Sequence, residues 1–129
     1  MSADFPICTS ISNYAFAFCY SLTTTSFPLC TTIGSSAFIG CHSLTTTSFP
    51  NCTSIGDYAF RSCYNLISFN LSGVSSVPTL ATAVFYSTPI GGYSESAGQY
   101  GSIYVPASLY NDFLTATNWS SISSRIVSI

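Results

Sequence analysis

The chain has 129 residues, a formal net charge of −2, and 5% charged residues beside 47% apolar ones. Lysine is absent and only Arg61 and Arg125 are basic, so nothing neutralises a run of phosphates, and neither nucleic acid nor an anionic membrane surface is expected as a partner. The apolar content suffices for the core of one domain, and no run approaches the roughly 18 apolar residues of a membrane span, so membrane insertion is not expected either.

The opening residues, "MSAD", carry no basic or apolar segment of a secretion signal and no visible N-terminal cap. From Phe5 the chain repeats itself with a period of 22 residues and no gaps: "FPICTSISNYAFAFCYSLTTTS" (5–26), "FPLCTTIGSSAFIGCHSLTTTS" (27–48) and "FPNCTSIGDYAFRSCYNLISFN" (49–70). The constant columns are Phe5/Phe27/Phe49, Ile11/Ile33/Ile55, Ala15/Ala37/Ala59, Phe16/Phe38/Phe60 and Leu22/Leu44/Leu66. A single unit of this length cannot bury those side chains. Units stacked as the coils of a solenoid bury them as continuous columns. A degenerate fourth unit begins at Leu71. Its Leu71, Val74 and Val77 are expected in the places of Phe, Cys and Ile, with "ATAVF" (81–85) following after a three-residue insertion.

Within each coil, Leu22, Thr25 and Phe27 match the L-x-x-L-x-L strand pattern of leucine-rich repeats. Alternation points Thr25 and Phe27 inward and Thr24 and Ser26 outward, and Pro28 and Pro50 close the strands. The segments "NYAFAFC", "SSAFIGC" and "DYAFRSC" are each read as one helical or 3₁₀ turn on the far side of the coil. From Ser87 the repeat gives way to a loop, "GGYSESAGQYG" (91–101), a strand, "SIYV" (102–105), and a helix, "ASLYNDFLTAT" (107–117), begun by Pro106. Leu109, Phe113 and Leu114 share one helix face, with Trp119, Ile122, Ile126 and Ile129 expected behind it. The predicted organisation is therefore a leucine-rich-repeat solenoid over 1–86 and an α/β C-terminal cap over 87–129. A ligand site on the loop is the alternative use of the tail.

"TSIGDYAFRSCYNL" resembles the BspA-like leucine-rich repeats of bacterial surface proteins, and the tail is similar to the closing segment found after such repeats in gut Firmicutes and their phages. The resemblance covers essentially the whole chain. It implies display at a cell or virion surface or secretion, and for some members the binding of host matrix proteins. It carries over no binding residue.

Cys8, Cys19, Cys30, Cys41, Cys52 and Cys63 recur every 11 residues in two columns of three. Stacked side chains in a column point the same way, and Val74 takes the next rung of the first column, so buried free thiols are expected over a disulfide framework. No C-x₂₋₄-C spacing supports zinc, and no metal or cofactor is expected. His42 is the single histidine. It replaces a tyrosine in the column Tyr20/His42/Tyr64, and no nucleophile elbow, P-loop or H-E-x-x-H motif accompanies it, so catalysis is not expected. A glycosidase pair of Glu95 and Asp112 is the weakest of the alternatives.

The leading expectation is a non-catalytic surface module that binds a protein or glycan through Tyr20, His42 and Tyr64, flanked by Tyr14 and Tyr58, and through the outward Thr24 and Thr46. The alternative is a self-associating unit that stacks end to end, into oligomers or filaments, through Phe5 and Ile11 of the uncapped first coil.

Overall fold

A computed structural model describes residues 1–92 and 97–129. Each repeat forms one coil of main chain, and the coils stack into a solenoid with two parallel sheets among the described residues. The larger sheet runs in the order β1 (Ser2–Asp4), β3 (Thr24–Ser26), β5 (Thr46–Ser48), β7 (Ser68–Asn70), β9 (Ser102–Val105), β10 (Ile126–Ser128). The smaller one runs β2 (Ser10–Ile11), β4 (Thr32–Ile33), β6 (Ser54–Ile55), β8 (Thr79–Leu80). Thr24 pairs with Thr46 and Thr46 with Ser68, so the register equals the sequence period. Identical side chains meet only when that register holds.

The larger sheet starts earlier than expected. Ser2–Asp4 pairs with β3, and the Met1 ammonium donates to Ser21 O and to Thr23 Oγ1, each at 3.1 Å. The smaller sheet went unforeseen because strands two residues long leave no alternation to read. The inward column Ala3/Thr25/Thr47/Phe69/Ile103/Ile126 follows the expected alternation, with Phe27 buried beside it.

The far side of each coil is not helical, which corrects the expected helical or 3₁₀ turn. It is a series of tight turns in which Tyr14 and Phe18, Ser36 and Gly40, Tyr58 and Ser62, and Ala83 and Ser87 take left-handed φ. Alternate N–H groups go different ways. Ala15, Ala17 and Cys19 donate within the coil, to Ser12, Tyr14 and Phe16 O, while Tyr14, Phe16 and Phe18 donate to Ser35, Ala37 and Ile39 O of the next coil. A helix satisfies its N–H groups internally and would leave the neighbouring coil without partners. The inter-coil bonds thus compensate left-handed residues that cost roughly 1–2 kcal/mol each. Coil spacing is close enough that a Cβ on Gly56 would lie 2.6 Å from Ser35 N.

In the fourth coil Leu80, not Val77, pairs opposite Ile55. The insertion therefore lies before the smaller sheet, and Val77 sits partly buried beside the core. The columns then resume: Phe60 N donates to Val84 O as Phe38 N does to Ala59 O, placing Val84 and Phe85 under Ala59 and Phe60.

Two phenylalanine ladders fill the core. Phe5, Phe27 and Phe49 stack at 4.8 and 5.2 Å, and Phe16, Phe38 and Phe60 at 5.0 and 5.0 Å. The ladders meet edge to face, for instance Phe27 on Phe38 at 6.0 Å and 76°. Edge-to-face and offset contacts of this kind add about 0.5–1.5 kcal/mol per pair beyond area burial. In the fourth coil the sizes trade places. Phe69 stands in the column of Thr25 and Thr47, Leu71 follows Phe49, and Phe69 continues the stack at 5.6 Å.

The tail extends the larger sheet through β9 and β10 and packs helix α1 (Tyr110–Thr115) against β10 and, through Phe113, against Trp119. Phe113 and Trp119 are fully buried, Leu109, Leu114 and Ile122 partly so, and the Trp119 ring lies 6.5 Å from Phe85. Ile126 is buried, but Ile129 is 61% exposed, against expectation. It lies just past the end of β10, after the exposed Val127 and Ser128. Trp119 Nε1 donates to Pro78 O and Asn118 Nδ2 to Leu80 O, each at 2.7 Å. Those carbonyls belong to the columns of Thr53 and Ile55, which accept the N–H groups of Thr79 and Ala81. Two side-chain donors thus take the place of a further coil's main chain.

The six cysteines are free thiols, half-buried at Cys8 and Cys19 and buried at Cys30, Cys41, Cys52 and Cys63. The first column donates locally, Cys30 to Thr32 O at 3.3 Å, and the second across coils, Cys63 to Phe38 O at 3.1 Å. Burial, with the neighbouring thiols adding to it, pushes Cys30 up to about 11 and Cys52 up to about 12. Burial also raises Cys63, whereas its hydrogen bond to Cys41 lowers the latter. Thr25 and Thr47 are less well served, since their buried Oγ1 atoms have no partner.

Three outcomes follow from this packing. Replacing Thr25 and Thr47 together by valine removes two unsatisfied hydroxyls at constant shape and is expected to raise stability by about 1–3 kcal/mol in urea titration. Trp119→Phe leaves Pro78 O without its donor and is expected to lower it by about 1–3 kcal/mol in the same measurement. A maleimide added to the native protein near neutral pH labels Cys8 and Cys19 and spares the four buried thiols until denaturant is added; mass spectrometry of the labelled peptides reads this directly.

Candidate binding face

The turn that leads into the larger sheet carries the column Tyr20/His42/Tyr64. Because register equals period, the three rings lie one above another, Tyr20 to His42 at 4.9 Å and His42 to Tyr64 at 4.7 Å. Tyr20 is 55% and Tyr64 41% exposed, and His42 is half-buried between them. Phe18 leans on Tyr20 at 6.2 Å. Asn65 Nδ2 donates to His42 O at 2.7 Å and ties the third coil's turn to the second.

Stacking decides what this column offers. His42 is flanked on both sides, stacked on Tyr64 at 27° and tilted against Tyr20 at 36°. A sugar that stacks on an aromatic platform needs an open ring face, and His42 has none to give. What it offers is a ridge of ring edges carrying hydroxyl and imidazole groups, which suits hydrogen bonding and contact with a protein surface.

Four residues beyond the ridge lies the outward side of the larger sheet. Thr24 and Thr46 are half-buried in the column Ser2/Thr24/Thr46/Ser68/Ser102. Beside it runs Asp4/Ser26/Ser48/Asn70/Tyr104. Tyr104 was not singled out from sequence; its place beside Asn70 depends on β9 pairing with β7 across the tail loop, which no local pattern announces. The face is hydroxyl-rich, with Asp4 its one charged residue in these columns. It is stiffened from behind: Thr45 Oγ1 donates to Thr23 O at 3.0 Å, and Thr23 Oγ1 to Met1 O at 2.7 Å.

The remaining candidates lie elsewhere. Tyr14 and Tyr58 are exposed on the far-side turns, where Arg61 sits 5.5 Å from the Tyr58 ring and 5.3 Å from Tyr86. Phe5 is half-buried against Phe27, and Ile11, at 5% exposure, is already part of the core. Asp112 stands on α1, while Glu95 lies outside the described residues, so that pair is not placed. Among the described residues no three of His, Cys, Asp and Glu come together as a metal ion would require. Two clefts border the joint between the fourth coil and the tail, and neither lining includes a carboxylate, a histidine or a cysteine. Among the described residues no helix is long and apolar enough to cross a membrane.

Comparison with curated proteins and with solved structures finds no match. The family model for the BspA type leucine rich repeat region matches residues 3–94, in six copies. That span takes in all four coils and both phenylalanine ladders, and the chain belongs to the BspA type leucine rich repeat family.

Proposed function

We propose that the chain is a non-catalytic binding module, displayed outside the cell or on a virion, that takes a protein partner against the Tyr20/His42/Tyr64 ridge and the adjoining Thr24 and Thr46 columns. The observation that carries this reading is the stacked ridge. It holds three aromatic side chains at low entropic cost, with edges and polar atoms outward, beside a sheet face that has almost no charge. Rigid aromatic anchors next to small hydroxyl residues are what a protein contact uses. A glycan partner is the less favoured ligand, for lack of open ring faces at the ridge centre. Family membership supports a protein-binding repeat module, of a kind that is generally non-catalytic.

The test is a binding screen of the purified chain against parallel arrays of surface or matrix proteins and of glycans. A hit on the protein array is expected, and the Tyr20→Ser, His42→Ser, Tyr64→Ser triple variant should lose at least about tenfold in affinity with its circular dichroism unchanged. A protein ligand bound equally well by the triple variant, or hits on the glycan array alone, would sink the reading.

A further inference from the structure

The tail completes only half of the surface that the fourth coil turns toward it. On the smaller sheet, Trp119 and Asn118 supply donors in place of a further coil. On the far side, each earlier coil sends N–H groups to the next. Ser36, Phe38 and Gly40 donate to Asp57, Ala59 and Arg61 O, and Tyr58, Phe60 and Ser62 donate to Thr82, Val84 and Tyr86 O. The equivalent groups of the fourth coil are those of Ala83, Phe85 and Ser87. Phe85 stacks on Phe60, and Ala83 and Ser87 repeat the left-handed φ of Tyr58 and Ser62. Among the described residues none of these three N–H groups has an acceptor. Ser87 is exposed to water, whereas Ala83 is half-buried and Phe85 is 4% exposed. A buried main-chain N–H without a partner is rare in native proteins. Ala83 and Phe85 both line a cleft of about 150 Å³, whose walls are Leu80 and Val84 of the coil and Ser121 and Ile122 of the tail.

We propose that this cleft binds a small monocarboxylate with a short branched hydrocarbon tail. The two N–H groups stand on alternate residues and face the same side, as those of Tyr58 and Phe60 face Thr82 and Val84 O. In the other coils two carbonyl oxygens fill that role. A carboxylate brings two acceptor oxygens and no donor, and hydrogen bonds to an ionised acceptor are roughly twice as strong as neutral ones. The lining holds no carboxylate to repel it, and the Arg61 guanidinium lies 5.3 Å from the ring of Tyr86, which borders the cleft. Asp57 is engaged between the third and fourth coils, where its Oδ1 accepts from Thr82 N at 2.8 Å. Size sets the rest of the ligand. An apolar space of roughly 150 Å³ holds a molecule about as large as benzene, which excludes a sugar chain or a peptide of several residues. The tail of a short branched acid fits against Leu80, Val84 and Ile122. This site shares no residue with the Tyr20/His42/Tyr64 ridge and stands or falls independently of it.

The experiment is a titration of the isotope-labelled chain with sodium isovalerate, against sodium chloride at equal ionic strength, read by amide chemical shifts. Saturable binding at one site is expected, with a dissociation constant of about 1 mM or tighter. The amide protons of Ala83 and Phe85 should move downfield as their bonds form, while the amides of Tyr20, His42 and Tyr64 stay in place. Isoamyl alcohol keeps the hydrocarbon tail and lacks the carboxylate, and should bind at least about tenfold more weakly. Ser121→Phe places a ring at the lip of the cleft on an exposed residue, so the fold, read from the dispersion of the same spectrum, is expected to persist. It should cost isovalerate at least about tenfold in affinity, and Ala81→Leu, which narrows the cleft from the coil side, should do the same. The proposal is overturned by the lack of a saturable shift up to about 50 mM, far above the affinity expected of so small a ligand. It is also overturned by equal binding of isoamyl alcohol, by saturable shifts that leave Ala83 and Phe85 unmoved, or by full affinity in both variants.

Discussion

Every coil of this protein leaves half of its far-side N–H groups for a neighbour. The alternation by which Ala15, Ala17 and Cys19 bond inward while Tyr14, Phe16 and Phe18 bond to the next coil sets everything else. It forbids a helix on that side and demands left-handed residues at fixed places. It also fixes the spacing at which side chains of one column meet. A coil alone would be a ring of unsatisfied main chain around a few phenylalanines. Stacked coils share those groups, and the cost of each left-handed residue is offset by a bond that only the stack can make.

The side chains then obey the spacing that the main chain imposes. Rings repeated at that distance must stack or clash, and the two ladders resolve this by turning edge to face. The same rule produces the outer ridge. Tyr20, His42 and Tyr64 are not a platform that happens to be flat; they are surface residues subject to the same register as the core, so the rings meet one above another, Tyr64 stacked on His42 and Tyr20 tilted against it. A core rule thereby reaches the surface, where the middle ring of the column is flanked by the two tyrosines. Threonine hydroxyls on Thr23 and Thr45 add a second row of inter-coil bonds directly behind the face, which holds it rigid without charge.

How much of this was legible depended on whether a feature repeats. The period, the apolar columns, the inward Thr25 and Phe27 and the packed cysteines could be read from the letters, because each recurs at a fixed offset. The left-handed turns could not. Only Gly40 marks such a position with a glycine, while Tyr14, Phe18, Ser36, Tyr58, Ser62, Ala83 and Ser87 do so without one. The placement of the insertion was also hidden, because Val77 and Leu80 are both suitable core residues and only pairing with Ile55 selects Leu80. The candidate ridge was legible as a column of aromatics, but not as a stack. Orientation depends on ring packing, which spacing alone does not encode. Ile11 was legible as a rung of the column Ile11/Ile33/Ile55, and it is buried there.

The bonds that Trp119 and Asn118 make to Pro78 and Leu80 have a dynamic consequence. In a stack coupled only through nearest neighbours, an internal coil is anchored on two sides and a terminal coil on one, so thermal opening starts at the less anchored end. Pinned by these buried side-chain donors, the fourth coil is anchored on both sides as an internal coil is. His42 and Tyr64, on the second and third coils, likewise stand on main chain that is bonded to a coil above and a coil below. Opening of either coil would break bonds on two sides at once, so local exchange of their amides is slow.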